Sequence, residues 1–428
     1  MQFAICRSTA ASLGRTSDII EQNGLHWLKF GNEYFCFAAD AGRPIDWREV
    51  EKPGLKLSLG APGQATAGSL YLVTQEGRIF QRAHPDVPVL FDKGRHLVVS
   101  LDGSRADEIV QHEARFSIRP ATRSEVIFEA LSRPSVPFRM DDRIKVIVDA
   151  ISRTSFRSTL TELASFPTRH SLTSHYQNAA KLIQDRLRAM GYLVSRQEVP
   201  IPGGSTLNVI ADKTGIGSVP RSLTLVTAHL DSVNHPADHS QPDDPTAPAP
   251  GADDNGSGSA GVVEIARVLK DQPITQDLRL ILFGGEEQRL LGSKHYVDQL
   301  PNTERARIRS VVNMDMIAVD NTGRPSVLLE GGDPVSKDMI AGLSLAANTY
   351  TQLTVDVSLH PWGSDHCPFI DANVPAVLTI EGNDDENHNI HTANDALDHI
   401  NFDLAQQILR MNAAFVSVEI GLQASVTA

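Results

Sequence analysis

The sequence of 428 residues predicts an α/β fold, a mostly parallel sheet sandwiched by helices, preceded by a small, mostly antiparallel β domain. From about residue 140 onward, short apolar runs alternate with helical patterns, as in strands joined by crossover helices. Before about residue 135, β-prone runs recur and turn-forming residues separate them. We therefore assign residues 1–135 to an accessory β-rich domain and residues 140–428 to the main domain.

The accessory domain is predicted from short runs rich in β-branched and aromatic residues. These runs are EYFCFAAD (33–40), LKLSLG (55–60), SLYLVTQEGRIFQRA (69–83), HLVVSLDG (96–103) and ARFSIRPA (114–121). No catalytic constellation is visible in this region. The segment SRPSVPF, 132–138, is predicted to be a linker to the main domain, because two prolines lie among its polar residues.

In the main domain a helix is predicted over SHYQNAAKLIQDRLRAM, since its apolar residues recur at helical spacing and Gly191 can end it. Continuous apolar runs then predict strands that are buried on both faces. They are LNVIA (207–211), LTLVTA (223–228), LRLILF (278–283), SVVNMD (310–315) and VPAVLTI (374–380). Two further helices are predicted over 256–271 and from Asn401 to the C-terminal region.

Composition excludes several classes of function. The net charge of −13 argues against nucleic acid or an anionic membrane surface as a partner. No apolar run approaches the length of a membrane span, and the first residues do not form a convincing signal peptide. Three cysteines are too few for a disulfide scaffold. Cys6 and Cys36 could pair in an exported protein, and the alternative is that both are unpaired buried thiols.

Polar side chains that can bind metals follow the predicted strands or precede a helix. They are His229 and Asp231, Asp253 and Asp254, Glu286 and Glu287, Asp315, and His388 and His391. Each group alone is explained by a turn, a helix cap or a solvated helix start. Because ligands bind at the carboxyl ends of strands in open α/β sheets, we expect these residues to converge. A cation would offset the cost of crowding so many carboxylates.

The mixture of imidazole and carboxylate ligands favours catalytic zinc, with manganese or cobalt as substitutes. The expected ligands are His229, Asp254, Glu287, Asp315 and His391. Five ligands are one too many for a single tetrahedral zinc with an open position. They fit two metal ions about 3.5–4 Å apart that share one bridging carboxylate.

The chain contains five short motifs, which follow one another in the order HLDS, PGADDNGSGSAG, GGEEQRLLGS, NMDMI and NIHTANDAL. Together they resemble the co-catalytic dizinc aminopeptidases, which include bacterial leucine-type aminopeptidases and the glutamate carboxypeptidases. The resemblance covers about 140–428. It implies a zinc-dependent hydrolase that removes amino acids from peptides with a free N-terminus, in a secreted or periplasmic location.

The resemblance also implies roles for single residues. His229 and Asp315 would hold one zinc ion, Glu287 and His391 would hold the other, and Asp254 would bridge them. Asp231 would orient the ring of His229. Glu286 would be the general base, with a hydroxide shared by both ions as the nucleophile. A cis peptide bond is expected between Asp254 and Asn255.

The segment HPWGSDHCPF, 360–369, resembles a stretch that lies beside the substrate pocket in this family. It supplies the pocket candidates Trp362, Asp365, His366 and Phe369. An ordinary buried turn is the alternative for this segment.

Several alternatives share the same motifs. The stretch between Asp315 and His391 is too short for the lid domain of a second dizinc exopeptidase group. The loop between Asp231 and Gly251 is too short for the domain inserted in glutamate carboxypeptidases. Glutaminyl cyclases share the fold with one zinc ion. A carboxypeptidase or dipeptidase could use the same site, and a receptor-like protein could keep the fold without metals. The complete ligand set and Glu286 argue against that last alternative.

Overall fold

The computed structural model describes residues 2–7, 13–38, 63–64, 69–75, 77–112, 116–131, 140–235 and 243–422. The predicted run at 55–60 and the predicted linker at 132–138 lie outside these ranges. The chain divides into two compact units, Met1–Leu131 with Asp356–Gly363, and Ser132–Val355 with Ser364–Ala428. The first unit thus takes up a segment, 356–363, from within the predicted main domain.

The first unit contains two sheets in which most neighbouring strands are antiparallel. Its strands are Gln2–Arg7 (β1), Leu25–Phe30 (β2), Glu33–Ala38 (β3), Gly63–Gln64 (β4), Ser69–Gln75 (β5), Val89–Lys93 (β6), His96–Leu101 (β7), Phe116–Pro120 (β8) and Glu125–Leu131 (β9). Its helices are Leu13–Gln22 (α1), Ile79–Ala83 (α2) and Gly103–His112 (α3). The strand orders are β9-β2-β3-β1-β4 and β6-β7-β5-β8, and β2 with β9 is a parallel pair.

Two thiols of the first unit lie between neighbouring strands. Cys6 on β1 and Cys36 on β3 are both buried and reduced, and the Cys36 thiol donates to the sulfur of Cys6 at 3.3 Å. They pack among Ile20, Leu25 and Tyr34. In this structure the two cysteines therefore behave as small apolar core residues.

The second unit alternates strands and helices along the chain. Its strands are Leu193–Ile201 (β10), Gly204–Lys213 (β11), Leu223–His229 (β12), Asp277–Phe283 (β13), Ile308–Met314 (β14), Ser326–Gly331 (β15), Thr354–Ser358 (β16, which the unit boundary divides) and Ala376–Glu381 (β17). Its helices are Asp142–Asp149 (α4), Arg153–Ala164 (α5), Ser174–Ala189 (α6), Gly258–Leu269 (α7), Leu291–Gln299 (α8), Asn302–Arg305 (α9), Lys337–Tyr350 (α10), His366–Asp371 (α11) and Phe402–Glu419 (α12). Short helical turns occupy Ala252–Ser257, Asp384–Glu386 and Leu397–His399.

The sheet of the second unit has the order β10-β11-β13-β12-β14-β17-β15. Strands β13, β12, β14 and β17 pair in parallel, and the strands outside them pair antiparallel. The sheet is therefore mixed, and parallel pairing is limited to its centre. His229 pairs with Phe283, and Thr227 pairs with Asn313, so the carboxyl ends of the central strands lie at one edge. The predicted α/β fold with a small antiparallel sheet is confirmed.

Helix α6 follows its sequence pattern closely. Five of the six apolar residues that predict it are fully buried, namely Tyr176, Ala179, Ala180, Ile183 and Leu187, and the sixth, Met190, caps the end of the helix and is partly exposed. The helix is capped by the hydroxyl of Thr173 and is followed by Gly191 at φ +90°, where a side chain would be strained. Among the described residues, no helix has both the length and the apolar composition that crossing a membrane requires.

Candidate metal and catalytic site

The ends of the central parallel strands bring the predicted ligands together. His229 is the last residue of β12, Asp315 follows the last residue of β14, and the acids Glu286 and Glu287 follow β13 after two glycines. His391 lies in the segment after β17. Because the strands are in parallel register, side chains separated by more than 160 positions of sequence meet at one edge of the sheet.

His229 lies at the centre of one group of carboxylates. Its Nε2 atom lies 3.2 Å from Oδ1 of Asp315, 3.2 Å from Oδ1 of Asp254 and 3.9 Å from Oε2 of Glu286. Its Nδ1 atom faces Asp231, 3.2 Å from the backbone oxygen and 3.6 Å from Oδ1. The contact at Nδ1 orients the ring so that Nε2 points into the carboxylate group.

Asp254 lies between two histidines. Its Oδ1 atom faces His229, as described, while its Oδ2 atom lies 2.9 Å from Nε2 of His391. The same nitrogen of His391 is 3.2 Å from Oε2 of Glu287. One carboxylate therefore connects two groups, His229 with Asp315 and His391 with Glu287.

The backbone around Asp254 is held by side chains from other segments. The peptide bond between Asp254 and Asn255 is cis, as expected from the resemblance. Asp395 accepts from the backbone N–H groups of Asp253 at 2.8 Å and of Asp254 at 2.9 Å. The side chain of Asn255 donates to the carbonyl of Met314 at 2.9 Å. The bond from Asn255 ties the turn that carries Asp254 to the end of β14, and Asp395 holds the same turn from the segment after β17.

Steric constraints explain why two glycines precede Glu286 and Glu287. A Cβ atom on Gly284 would lie 2.2 Å from the hydroxyl of Tyr176, and Gly285 has φ +76°. After this tight turn, the backbone N–H groups of both glutamates point toward Asp231, at 3.4 Å and 3.3 Å. Asp231 thus contacts the ring of one predicted ligand and the backbone of another.

Burial and neighbouring charges shift the pKa values of these groups in opposite directions. Burial raises the pKa of Glu286 well above its usual value and raises that of Glu287 to about 8. Burial opposes ionisation of Asp254 as well, but hydrogen bonds from His229 and His391 lower its pKa below the usual value. Burial would lower the pKa of His229, yet the charges of Asp315 and Glu286 raise it.

The donor set fits divalent metal ions. His229, Asp254 and Glu287 can each offer one ligand atom, and these three atoms lie within 4.8 Å of one another. The same is true of His229, Glu286 and Asp315. The buried Oε1 atom of Glu287 has no hydrogen-bond partner among the described residues. Imidazole nitrogens with carboxylate oxygens suit zinc, and a cation would supply the missing partner.

The pocket candidates lie in different surroundings. Trp362 belongs to the first unit, where its backbone carbonyl accepts a hydrogen bond of 2.8 Å from the guanidinium of Arg95. In the second unit Asp365 is buried, which raises its pKa to about 7, and buried His366 lies 3.5 Å from Oε1 of Glu330. Phe369 is fully buried against Phe283 and Tyr296. Phe369 thus packs in the core, and His366 faces a buried carboxylate. The pocket assignment of all four candidates stays a prediction.

Several residues near the site were not predicted from the sequence. Arg169 is fully buried and donates to backbone carbonyls on both sides of the site loop. The hydroxyl of Ser364 donates to Oδ2 of Asp315 at 2.6 Å. His235 lies beside His391, with ring centroids 4.4 Å apart. The only sequence signal for His235 was a histidine six positions after His229, in a loop rich in proline and aspartate.

Comparison with known proteins finds a family that this region resembles. Residues 208–416 match the model described as Peptidase family M28. The match covers just under half of the chain, so it shows a similarity of this segment to that family. The segment contains every predicted metal ligand, from His229 to His391. The predicted resemblance to the co-catalytic zinc exopeptidases is therefore confirmed.

Curated relatives match this chain over part of their length. Leupeptin-inactivating enzyme 1 from Streptomyces exfoliatus is 33% identical over 215 residues, which are 49% of this chain and 43% of that protein. Aminopeptidase YwaD from Bacillus subtilis is 35% identical over 191 residues, 43% of this chain and 38% of that protein. The chain thus spans less than half the length of these two relatives.

Solved structures share the fold. A zinc aminopeptidase from Bacillus subtilis aligns with a TM-score of 0.55 and 20% identity, over 65% of this chain and 97% of that chain. The LapA aminopeptidase of Legionella pneumophila aligns with a TM-score of 0.58 and 19% identity, over 83% of this chain and 100% of that chain. A glutaminyl cyclase from Porphyromonas gingivalis has a TM-score of 0.53 at 18% identity, over 63% of this chain and 99% of that chain. One fold therefore serves more than one reaction.

Proposed function

We propose that this protein is a zinc-dependent aminopeptidase that hydrolyses the first peptide bond of peptides with a free N-terminus. The observation that carries the proposal is the position of Asp254, whose two carboxylate oxygens face His229 and His391 separately. That arrangement suits two metal ions that share one carboxylate. The M28 family description and the names of the aminopeptidase relatives support the reaction class.

In this proposal each metal ion has its own histidine and carboxylate. His229 and Asp315 would hold one ion, His391 and Glu287 would hold the other, and Asp254 would bridge them. Bound zinc lowers the pKa of water and polarises the scissile carbonyl. Asp231 keeps the ring of His229 in its binding orientation, as carboxylates commonly do for histidine ligands.

Glu286 is proposed to move the proton. Its Oε2 atom lies 3.9 Å from Nε2 of His229, and the residue is 8% exposed. Burial raises its pKa, so its carboxylate is basic enough to accept a proton from water and to return it to the leaving amine. The hydrogen bond from its backbone to Asp231 fixes the turn from which this carboxylate reaches the site.

The substrate and the cellular location of the protein are part of this proposal. The carboxylates at the site favour a cationic group, and a peptide's terminal ammonium is the group proposed here. A secreted or periplasmic location follows from the family resemblance. A carboxypeptidase or dipeptidase on the same site is the alternative within hydrolases.

A panel of substrates tests the reaction class. Aminoacyl chromogenic substrates should be cleaved, their N-blocked analogues should not, and a chelator should abolish turnover until zinc is restored. Cleavage of the blocked analogues would exclude an aminopeptidase. A protein that binds zinc and cleaves no member of the panel would point to a different reaction on the same fold.

The roles of the two adjacent glutamates are tested by changing each alone. We expect Glu286→Gln to lower kcat by about 10²–10⁴-fold, the usual contribution of a general base, with both zinc ions retained. Glu287→Gln should instead lose one zinc ion. Metal analysis with single-substrate kinetics distinguishes the two variants, and full activity of Glu286→Gln would disprove its role as the base.

A further inference from the structure

A third histidine lies beside Glu287 and His391. The rings of His235 and His391 meet edge to face, with centroids 4.4 Å apart and an interplanar angle of 68°. The backbone N–H of His235 donates to the carbonyl of His391 at 3.0 Å. One ligand atom each from His235, His391 and Glu287 lie within 4.8 Å of one another. The segments that follow β12 and β17 thus bring a third imidazole to this group.

The ring of His235 is held by a carboxylate. Its Nδ1 atom lies 2.7 Å from Oδ1 of Asp243, and the two side chains are only 8% and 17% exposed. Histidines that bind a metal ion through one ring nitrogen commonly donate the other N–H to a carboxylate, which fixes the ring and raises its basicity. With Nδ1 engaged by Asp243, Nε2 is the nitrogen that an ion would use.

We propose that His235 is an additional ligand of the metal ion held by Glu287 and His391, and that Asp243 positions its ring. The inference rests on the proposed function, since it requires a metal ion at this place. It goes beyond that function, because it adds a ligand to one ion only. Glu287, whose buried Oε1 atom has no hydrogen-bond partner among the described residues, belongs to the same ligand group, and this supports the inference.

The extra ligand makes the two metal sites unequal. The ion beside His391 gains four protein ligands, His235, Asp254, Glu287 and His391, whereas the other has three, His229, Asp254 and Asp315. Zinc can expand to five-coordinate, so an ion with four protein ligands can still share a hydroxide with its neighbour, and the ion with three keeps the more open position. Glu286 groups with His229 and Asp315, so the proposed base lies beside the ion with the more open position.

Zinc titration of the metal-stripped full chain tests this inference. Competition with a chromophoric chelator resolves the two affinities of the wild type, and we expect them to differ. The change Asp243→Asn should weaken the tighter site by about 10–100-fold, the usual effect of losing a carboxylate behind a histidine ligand. His235→Phe keeps an aromatic ring but no nitrogen, and it should weaken that site by more than Asp243→Asn does.

A matched control separates binding from general damage. His399 lies eight positions after His391 and its side chain is 43% exposed, so His399→Phe should leave both affinities unchanged. With Co²⁺ in place of zinc, the visible absorption of the tighter site should change in His235→Phe and not in the control. Circular dichroism of each variant confirms that the chain is folded.

Each outcome has one meaning. Wild-type affinities at both sites in His235→Phe would show that the histidine only packs against His391, and would overturn the inference while the proposed function stands. Loss of affinity at the weaker site alone would overturn the assignment of His235 to the tighter site. A wild-type chain that binds no zinc would instead remove the proposed function itself.

Discussion

Arg169 shows how a single buried side chain holds the site loop. The residue is fully buried, and its guanidinium donates to the carbonyls of Leu230 and Gly251, each at 2.8 Å, and of Leu163 at 3.2 Å. It also donates to the carbonyl of Pro250. Burial lowers its pKa, and the charges of nearby carboxylates, Asp395 first, oppose that effect. One side chain therefore satisfies backbone groups from three segments around Asp254.

Removing this guanidinium should destabilise the fold. Arg169→Met keeps much of the volume but leaves several buried carbonyls without a donor, and each unsatisfied group costs about 1–3 kcal/mol. We expect the free energy of unfolding to fall by about 3 kcal/mol or more, measured by urea denaturation. Arg169→Lys keeps the charge with fewer donors and should lose less. Equal stability of wild type and Arg169→Met would contradict this account.

At the scale of elements, the turn Ala252–Ser257 depends on a carboxylate from elsewhere in the chain. Asp395 accepts two consecutive backbone N–H groups, one with each oxygen, just before the cis peptide bond. Burial raises the pKa of Asp395 to about 6, although these two hydrogen bonds favour its ionised form. The turn is thus positioned by two charge-assisted bonds, and so is Asp254.

Asp395→Asn should loosen this turn and weaken metal binding. The amide keeps one accepting oxygen, so one of the two N–H groups loses its partner. We expect zinc affinity to fall by about 10–100-fold, as for other residues that hold a ligand in place. Asp398→Asn is the control, because the side chain of Asp398 is 79% exposed. Chelator competition measures both variants, and an unchanged affinity in Asp395→Asn would exclude a positioning role.

The elements also explain which parts of the fold were predictable. The central strands are buried, so their apolar runs predicted them, and the rule for strand ends located the group around His229 and Asp254. Strand β10 is mostly exposed and has no such run. Residues Ile79–Ala83 form a helix within a run that predicted a strand, since short runs do not separate the two structures. His235 and Arg169 depend on tertiary contacts that no local pattern encodes.

At the scale of the whole molecule, the site concentrates groups that bind protons more tightly in the folded chain. Burial raises the pKa of Asp253 to about 8, that of Glu287 to about 8 and that of Asp365 to about 7. Surrounding carboxylates raise the pKa of His229 and His391 against the effect of burial. Unfolding restores ordinary pKa values, so the metal-free chain should release protons when it unfolds between about pH 4 and about pH 8.

The free energy of unfolding of the metal-free chain should therefore change with pH in one direction. Because the folded chain binds more protons, the free energy of unfolding should fall as pH rises through this range, by up to about 1.4 kcal/mol per pH unit for each proton released. Zinc replaces those protons as the partner of the carboxylates, so the loaded protein should gain stability toward higher pH. Urea denaturation with chelator and with zinc, at about pH 5 and about pH 8, measures both slopes. Metal-free stability that rises with pH would mean that the carboxylates at the strand ends are already ionised and compensated by the chain itself.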